Sequence, residues 1–201
     1  MASLSWETYR DSIGDRTGLF AAIVGSWTVR RALYPGSYVD LSPSMAIDSV
    51  AYVDTDRRAA RYFADSDLVR SELGGRSGPE PRVDFVAADY TSELPWVHGS
   101  FDLLISLYAG PVWEHCRPYL RSGGLLLANA SHGDASLAAL DRDLHLVAAV
   151  LHRDGRYRLD TEDLERYLVP RRAAAADAEA IRRSGRGIAY TKPAFAYLFG
   201  Y

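Results

Sequence analysis

Carboxylates follow two apolar runs that are typical of buried strands. Asp54 ends the run 49–53, and Asp89 follows the run 83–88. A carboxylate accepts several hydrogen bonds at once, so it can hold the hydroxyl or amino groups of a ligand. Gly36 follows an earlier apolar run, and a glycine lets the backbone approach a ligand closely. Because ligands of open α/β sheets bind beyond the carboxyl ends of the strands, these residues together predict a binding site.

Three further side chains are candidates for catalysis or for contact with a substrate. His132 comes after the fifth apolar run and would serve as a general base near neutral pH, with an ordinary structural histidine as the alternative. Tyr108 follows the fourth run, and Arg16 lies in the N-terminal segment. Both would contact a substrate at the mouth of the pocket, with surface placement as the alternative for Arg16. Cys116 is the only cysteine, so a cysteine-rich zinc site is excluded and no metal site is expected.

The composition is that of a soluble globular protein. Of the 201 residues, 48% are hydrophobic and 24% are charged, and the length suits one α/β domain. The formal net charge of -3 lacks the basic excess of proteins that bind nucleic acid. No apolar run approaches the roughly 18 residues of a membrane-spanning helix, and the N-terminus lacks the pattern of a signal peptide. We therefore expect a cytoplasmic protein with no membrane or nucleic-acid partner.

The apolar runs predict a parallel sheet. They are nearly continuous and lack the alternation of a half-exposed strand, which is typical of strands covered by helices on both faces. Helical patterns separate them, as in an alternating α/β fold. The predicted parallel strands are residues 30–34, 49–54, 83–88, 101–107 and 125–130, and two further strands are predicted at 144–151 and 190–199.

Helices are predicted before and between these strands. Apolar residues recur at helical spacing through the first thirty residues. Ser42 followed by Pro43 is a typical helix start, with the serine as the cap and the proline in the first turn. A longer helix is predicted over 56–73, a kinked or split one over 113–120 and another over 161–168, while 171–186 is either a solvated helix or a loop.

The stretch 88–106 resembles the region from the third to the fourth strand of class I S-adenosylmethionine-dependent methyltransferases. An apolar strand ends in an acid, a Leu-Pro loop follows, and Phe101 and Asp102 open the next strand. The turn 121–126, with two adjacent glycines, is similar to the family's turn into its fifth strand. The resemblance covers residues 28–131, about half of the chain.

The resemblance implies an α/β fold, a three-layer sandwich around a Rossmann-like, mostly parallel, seven-stranded sheet with a C-terminal antiparallel hairpin. It implies a single domain over 1–201, made of an N-terminal helical segment (1–27), a cofactor-binding core (28–131) and a C-terminal part (132–201) with a helical insertion near 161–187. The two C-terminal strands predicted above would form the hairpin.

The cofactor implied by the resemblance is S-adenosylmethionine. Asp54 would hold the ribose hydroxyls, and Asp89 would hold the amino group of adenine. The other residues expected at the cofactor, from the loops after the first four strands, are Tyr34, Gly36, Ser37, Thr55, Tyr90 and Leu107. The implied activity is methyl transfer to an unidentified small molecule. The alternative is a methyltransferase-like domain without catalysis, which would serve as a ligand-binding or protein-interaction module.

The first loop departs from the family's pattern of an acid followed by three glycines at alternate positions. Tyr34 stands at the acid position, Gly36 is the one glycine retained, and Tyr38 and Asp40 take the other two places. Tyr38 would either cover the pocket or fill it. The chain also lacks the Gly-x-Gly-x-x-Gly turn of nicotinamide-dependent oxidoreductases. No Asn/Asp-Pro-Pro-aromatic motif follows the fourth strand, which argues against an enzyme that methylates amino groups of nucleic acids.

Overall fold

The computed structural model describes residues 4–201, which form one eight-stranded sheet. The strands are β1 (Arg31–Pro35), β2 (Ser49–Asp54), β3 (Arg82–Ala87), β4 (Phe101–Ser106), β5 (Leu120–Ala128), β6 (His145–Arg153), β7 (Arg156–Asp160) and β8 (Ala196–Gly200). Their order across the sheet is β3-β2-β1-β4-β5-β8-β6-β7. Strands β1 to β5 pair in parallel, β8 runs antiparallel between β5 and β6, and β6 and β7 form an antiparallel hairpin.

The helices are short. They are α1 (Trp6–Ile13), α2 (Thr17–Ser26), α3 (Arg57–Ala64), α4 (Ser66–Glu72), α5 (Val112–Cys116), α6 (Asp134–Ala138) and α7 (Ala178–Ser184). Turns of 3₁₀ helix lie at Ser42–Met45, Arg117–Tyr119, Leu164–Arg166 and Ala173–Ala175. Within residues 4–201, none of the helices has the length and apolar character needed to cross a bilayer.

The two faces of the sheet carry separate apolar cores. One core contains side chains of α1 to α4, with Trp6, Phe20 and Tyr62 among its buried members. The other contains side chains of α5 and α6, including Trp113 and Ala135. Burial of apolar surface on both faces is the main term that stabilises such an arrangement. The predicted three-layer α/β fold, with parallel strands followed by an antiparallel C-terminal pair, is confirmed.

The sheet has one strand more than the seven predicted. Asp154 and Gly155 both have positive φ, 51° and 71°, and they reverse the chain so that β7 pairs with β6. The predicted partners of the hairpin, β6 and β8, pair as expected. Strand β8 is shorter than the predicted 190–199, because Pro193 has no N–H to donate to a ladder and Ala194 donates its own to a tyrosine hydroxyl.

Two predicted helices are wrong in extent. The helix predicted over 56–73 is divided into α3 and α4 at Asp65, whose carboxylate accepts a hydrogen bond from the N–H of Leu68 and caps α4. Such side-chain bonding at a helix start favours a new helix over continuation of the old one. The segment 161–168 contains only a 3₁₀ turn, since Asp163 before it has a left-handed backbone with φ 47°.

Three other segments contain helical turns, as predicted, but differ from the prediction in detail. The segment 113–120 is split between α5 and a 3₁₀ turn that contains Pro118, which is one of the two predicted outcomes. Ser42 does not cap its turn as predicted, because its hydroxyl donates instead to Oδ1 of Asp40 at 2.5 Å. The segment 171–186 contains a 3₁₀ turn followed by α7.

Candidate functional site

A cavity of about 260 Å³ lies at the carboxyl ends of the first three strands. Strands β1, β2 and β3 are parallel neighbours, so the residues that follow them meet at one edge of the sheet. This is where ligands of open α/β sheets bind. The cavity brings together five of the predicted cofactor residues with two of their neighbours: Gly36, Asp54, Thr55, Ala88, Asp89, Tyr90 and Thr91.

Asp54 is held in place by backbone donors. Its Oδ2 accepts a hydrogen bond of 2.7 Å from the N–H of Tyr38, and its Oδ1 accepts one of 2.8 Å from the N–H of Asp56. A carboxylate oxygen has two lone pairs. Each oxygen of Asp54 therefore keeps capacity for a ligand hydroxyl.

Asp89 is exposed at the other side of the cavity. Its Oδ1 accepts hydrogen bonds from the N–H of Thr91 at 2.9 Å and from the hydroxyl of Thr91 at 2.8 Å. These bonds, the backbone one first, lower the pKa of Asp89 below its usual range. The carboxylate is thus anionic at neutral pH, and its Oδ2 is available to a ligand donor.

Tyr90, in the loop after β3, contacts the loop after β4. The hydroxyl of Tyr90 lies against Gly110 in that loop. A Cβ atom on Gly110 would lie only 2.7 Å from that hydroxyl oxygen, so the contact needs a glycine. Burial raises the pKa of Tyr90, which keeps the phenol protonated.

The loop after β1 contacts the loop after β4. Gly36 has φ 65°, and its N–H donates to the carbonyl oxygen of Val53 at 2.8 Å. A Cβ on Gly36 would lie 2.8 Å from the Cβ of Ala109. Both the left-handed backbone and this close approach favour glycine at position 36. The methyl group of Ala109 therefore occupies the space beside Gly36.

Three predicted cofactor residues do not line the cavity. Ser37 and Leu107 are buried beside it, and Tyr34 is buried beneath the first loop. The hydroxyl of Tyr34 donates to Oδ2 of Asp40 at 3.2 Å. Burial, reinforced by Asp40, raises the pKa of Tyr34 well above its ordinary value. A cofactor contact through these three side chains stays a prediction.

Asp40 belongs to a buried ion pair. Nη1 of Arg16 donates to Oδ2 of Asp40 at 3.0 Å and lies 3.4 Å from the hydroxyl of Tyr34. Oδ1 of Asp40 accepts from the N–H and the hydroxyl of Ser42 at 3.0 and 2.5 Å. Asp40 is therefore fully partnered in the core. The surface alternative for Arg16 is wrong, because only 4% of Arg16 is exposed.

Tyr38 contributes its backbone to the site. Its φ is 47°, which directs its N–H to Asp54. Its ring packs edge-on against Tyr9 of α1, with 5.0 Å between ring centroids, and the Arg58 guanidinium lies 5.4 Å from it. The ring does not line the cavity.

The two remaining predicted residues lie at the same edge of the sheet. Tyr108 is exposed, has φ 59°, and places its ring 4.9 Å from the guanidinium carbon of Arg16. Its N–H donates to Oδ1 of Asn129 at 3.3 Å. His132 is exposed in the turn between β5 and α6. Its role as a base stays a prediction.

A buried acid behind Tyr90 escaped the sequence analysis. Asp134 is only 1% exposed, and its Oδ2 accepts a hydrogen bond of 3.3 Å from the N–H of Trp113. The hydroxyl of Ser106 is buried beside this carboxylate and favours its charged form. Burial raises the pKa of Asp134 to about 6. The sequence offers one signal, Gly133, whose φ of 95° starts the helix that carries Asp134.

Within the described part of the chain, no three histidine, cysteine or acidic side chains are grouped to hold a metal ion. Sequence comparison assigns no family: no family model matches the chain, and no curated protein matches it.

Solved structures with a similar fold include methyltransferases. A methyltransferase from Methanosarcina mazei described as S-adenosylmethionine-dependent matches with a TM-score of 0.48 at 14% identity, over 89% of this chain and 95% of that one. A methyltransferase from Geobacter sulfurreducens matches with a TM-score of 0.47 at 17% identity, over 73% and 81%. A complex of DhpI with S-adenosylmethionine and HEP matches with a TM-score of 0.46 at 16% identity, over 98% and 92%.

Proposed function

We propose that the chain is an S-adenosylmethionine-dependent methyltransferase that acts on a small molecule. The observation that carries the proposal is the meeting of Asp54, Asp89 and Tyr90 around one cavity at the carboxyl edge of the parallel sheet. These are the positions where the resemblance requires a ribose ligand and an adenine ligand.

The nucleoside half of the cofactor fits the residues present. Asp54 retains lone pairs for two hydroxyl donors, and Oδ2 of Asp89 can accept from an amino group. Among residues 4–201, no lysine or arginine lines the cavity. The lining therefore suits an uncharged nucleoside or a cationic sulfonium, and it disfavours a nucleotide phosphate.

The amino-acid half needs room that Ala109 takes. Its methyl group lies where a side chain on Gly36 would point, so this half enters when the segment 107–111 moves away from the first loop. Tyr108 has a left-handed backbone, which costs about 1–3 kcal/mol in a non-glycine residue, so displacement of this segment would release strain.

S-adenosylmethionine supplies an electrophilic methyl group, so positioning and water exclusion are the main demands on the protein. Asp54 and Asp89 would orient the nucleoside. The segment 107–111, closed over a bound ligand, would exclude water. His132 is the predicted base for substrates whose nucleophile arrives protonated.

The charge around the cavity supports a small-molecule substrate. Asp54 and Asp89 place two carboxylates in its lining, while Asp56 beside them is paired with Arg58 at 2.9 Å. Carboxylates repel the phosphate backbone of nucleic acids, which such enzymes meet with lysine and arginine.

Isothermal titration calorimetry with S-adenosylmethionine and S-adenosylhomocysteine tests the proposal. We expect micromolar binding, about -8 kcal/mol, and at least tenfold weaker binding by Asp54→Asn and Asp89→Asn. Asp67→Asn is the matched control, since Asp67 is an exposed acid of α4 paired with Arg70. Failure of both ligands to bind at millimolar concentration would overturn the proposal. If the chain binds S-adenosylmethionine, it is next incubated with this cofactor and panels of small phenols, amines, thiols and carboxylic acids, and the release of S-adenosylhomocysteine is measured.

A ligand-binding module without catalysis is the second candidate. The contact between Gly36 and Ala109 favours this candidate, because the contact leaves room in the cavity for a nucleoside but not for the amino-acid half of the cofactor. Tight binding of adenosine together with no preference for the longer ligands would support this candidate over the enzyme.

A further inference from the structure

We infer that Asp134 is a positioning residue that holds the segment 107–111 against the first loop, and that protonation of its carboxylate releases this segment for the amino-acid half of the cofactor. The inference rests on the proposed function and concerns the regulation of the same site. It assigns a role to a buried acid that lies outside the lining of the cavity.

The segment 107–111 contacts two residues that line the cavity. The Cβ of Ala109 lies 2.8 Å from the place where a Cβ on Gly36 would be, and the next residue lies against the hydroxyl of Tyr90. Tyr108 has a left-handed backbone with φ 59°. Such strain persists only where the surrounding structure holds the backbone in place. The segment therefore depends on contacts from outside the cavity.

Asp134 lies between the two ends of this segment. Its Oδ2 accepts a hydrogen bond of 3.3 Å from the N–H of Trp113, two residues after the segment. The hydroxyl of Ser106, the residue directly before the segment, is buried beside the carboxylate and favours its charged form. Hydrogen bonds to an ionised acceptor are roughly twice as strong as those between neutral groups. The ionised carboxylate thus stabilises the positions where the segment begins and ends.

Asp134 is itself held by α6 and by the end of β5. It is the first residue of α6, and all five residues of this helix are buried. The N–H of Ala135 donates to the carbonyl oxygen of Asn129, which follows β5, at 3.2 Å. Displacement of the segment therefore takes a donor away from Asp134 and leaves the acid buried in its place.

The strength of this hold depends on pH. Burial raises the pKa of Asp134 to about 6, so the acid changes its protonation state close to neutral pH. A protonated carboxyl has no charge and uses one oxygen as an O–H donor. Loss of donors in turn favours the protonated form of a buried carboxylate. Protonation of Asp134 and displacement of the segment therefore favour each other.

The titratable neighbours of Asp134 behave differently. Burial raises the pKa of Cys116 to about 12 and that of Tyr90 above its ordinary value, so both stay neutral. Glu114 of α5 raises the pKa of Asp134 further and forms an ion pair with Arg182 of α7 at 2.6 Å. A ligand that displaces the segment is therefore expected to bind more tightly as Asp134 takes up a proton.

The test compares S-adenosylhomocysteine, which carries the amino-acid half, with adenosine, which lacks it. Affinities are measured by calorimetry at pH 5.5 and pH 7.5 for the wild type, Asp134→Asn and Asp141→Asn. Asp141 is the matched control, because it accepts a hydrogen bond of 2.7 Å from the indole N–H of Trp113. Although burial opposes it, hydrogen bonds lower the pKa of Asp141, so this acid stays ionised at both pH values. Thermal unfolding at each pH checks that the variants are folded.

We expect the wild type and Asp141→Asn to bind S-adenosylhomocysteine at least threefold more tightly at pH 5.5 than at pH 7.5, while adenosine binds equally at both. Asp134→Asn, whose amide stays uncharged, should bind S-adenosylhomocysteine at both pH values within twofold of the wild type at pH 5.5. Calorimetry in two buffers of different ionisation enthalpy should show proton uptake when the wild type binds S-adenosylhomocysteine at pH 6.5, and none with Asp134→Asn.

Three results would overturn the inference. The first is binding of S-adenosylhomocysteine by the wild type that is independent of pH, tighter at pH 7.5, or dependent on pH in the same way as that of adenosine. This comparison needs no variant and leaves the proposed function intact. The second is a pH dependence that persists in Asp134→Asn, which would assign it to another group, such as His115 beside Tyr90. The third is failure of both S-adenosylmethionine and S-adenosylhomocysteine to bind at either pH, which would overturn the proposed function as well.

Discussion

The backbone N–H of Tyr38 donates a hydrogen bond of 2.7 Å to Oδ2 of Asp54. This bond ties the first loop to the predicted ribose ligand at the end of the neighbouring strand. It is available because Tyr38 has a left-handed backbone, with φ 47°. The loop and the acid are therefore coupled through the backbone of Tyr38 and not through its ring.

Replacing Asp54 should reduce stability as well as ligand binding. Asp54→Ala removes the acceptor of two backbone N–H groups, those of Tyr38 and Asp56. Orphaned donors of this kind cost about 1–3 kcal/mol when buried, and less here because Asp54 is half-buried. Urea unfolding should show a loss of roughly 1 kcal/mol. Asp54→Asn, which keeps one acceptor oxygen, should lose less, and an equal loss in both variants would count against the role of these bonds.

Tyr38→Gly should leave adenosine binding unchanged. Glycine adopts the left-handed backbone without strain and retains the N–H that holds Asp54. The ring that is lost contacts Tyr9 and Arg58, outside the cavity. Calorimetry should give adenosine affinities within twofold of the wild type. A large gain would instead show that the Tyr38 ring fills the cavity in solution.

Asp134 should make the protein less stable as the pH rises. Burial raises the pKa of Asp134 from 3.8 to about 6, so the folded state binds this proton more tightly than the unfolded state does. The stabilising effect is fully present below pH 3.8 and is lost as the pH passes about 6. A difference of two pKa units corresponds to about 3 kcal/mol.

Asp134→Asn isolates this effect. The amide oxygen can still accept from the N–H of Trp113, but it does not ionise. Urea unfolding should give similar stabilities for the variant and the wild type at pH 4 and a more stable variant at pH 8, by up to about 3 kcal/mol. Other acids titrate in both proteins and cancel in the difference. Parallel stability curves across this range would contradict the raised pKa.

Gly110→Ala should be destabilising, and the loss should depend on Tyr90. The added methyl group would lie 2.7 Å from the Tyr90 hydroxyl oxygen, and overpacking of this kind typically costs about 1–3 kcal/mol. Combining it with Tyr90→Phe removes that oxygen and should recover part of the loss. A double-mutant cycle measures the coupling. Gly25→Ala in α2 is the matched control, because no atom lies within 4 Å of its added methyl group. Strict additivity would show that the two residues do not touch.

The strand ends and their acids could be predicted because they depend on local pattern. Asp54 and Asp89 follow apolar runs, and parallel neighbours bring such ends to one edge. The turn at Asp154 and Gly155 also depends on local pattern, because an Asp-Gly pair favours a tight turn. The strand β7 follows this turn and alternates exposed Arg156 and Arg158 with partly buried residues. Because it contains few apolar residues, the sequence pattern did not predict it as a strand.

Other parts of the site depend on contacts between distant segments. Arg16 would be predicted on the surface from its charge. It is nevertheless buried, and it forms an ion pair with Asp40, 24 positions along the chain. Asp134 follows a glycine in a polar turn, and its burial against α5 raises its pKa. The contact of Gly36 with Ala109 joins two loops that the sequence treats separately. Spacing along the chain carries no signal for such pairings.

The eighth strand also has a consequence for association between copies of the chain. It makes β7 one margin of the sheet, and β3 is the other. Arg156 and Arg158 are exposed on β7, while Arg82 on β3 is paired with Asp84 at 2.8 Å. Charged side chains on a marginal strand oppose the addition of a further strand. Both edge strands thus carry exposed charged side chains, which disfavour pairing with a strand of a second copy and so oppose aggregation through the sheet edges.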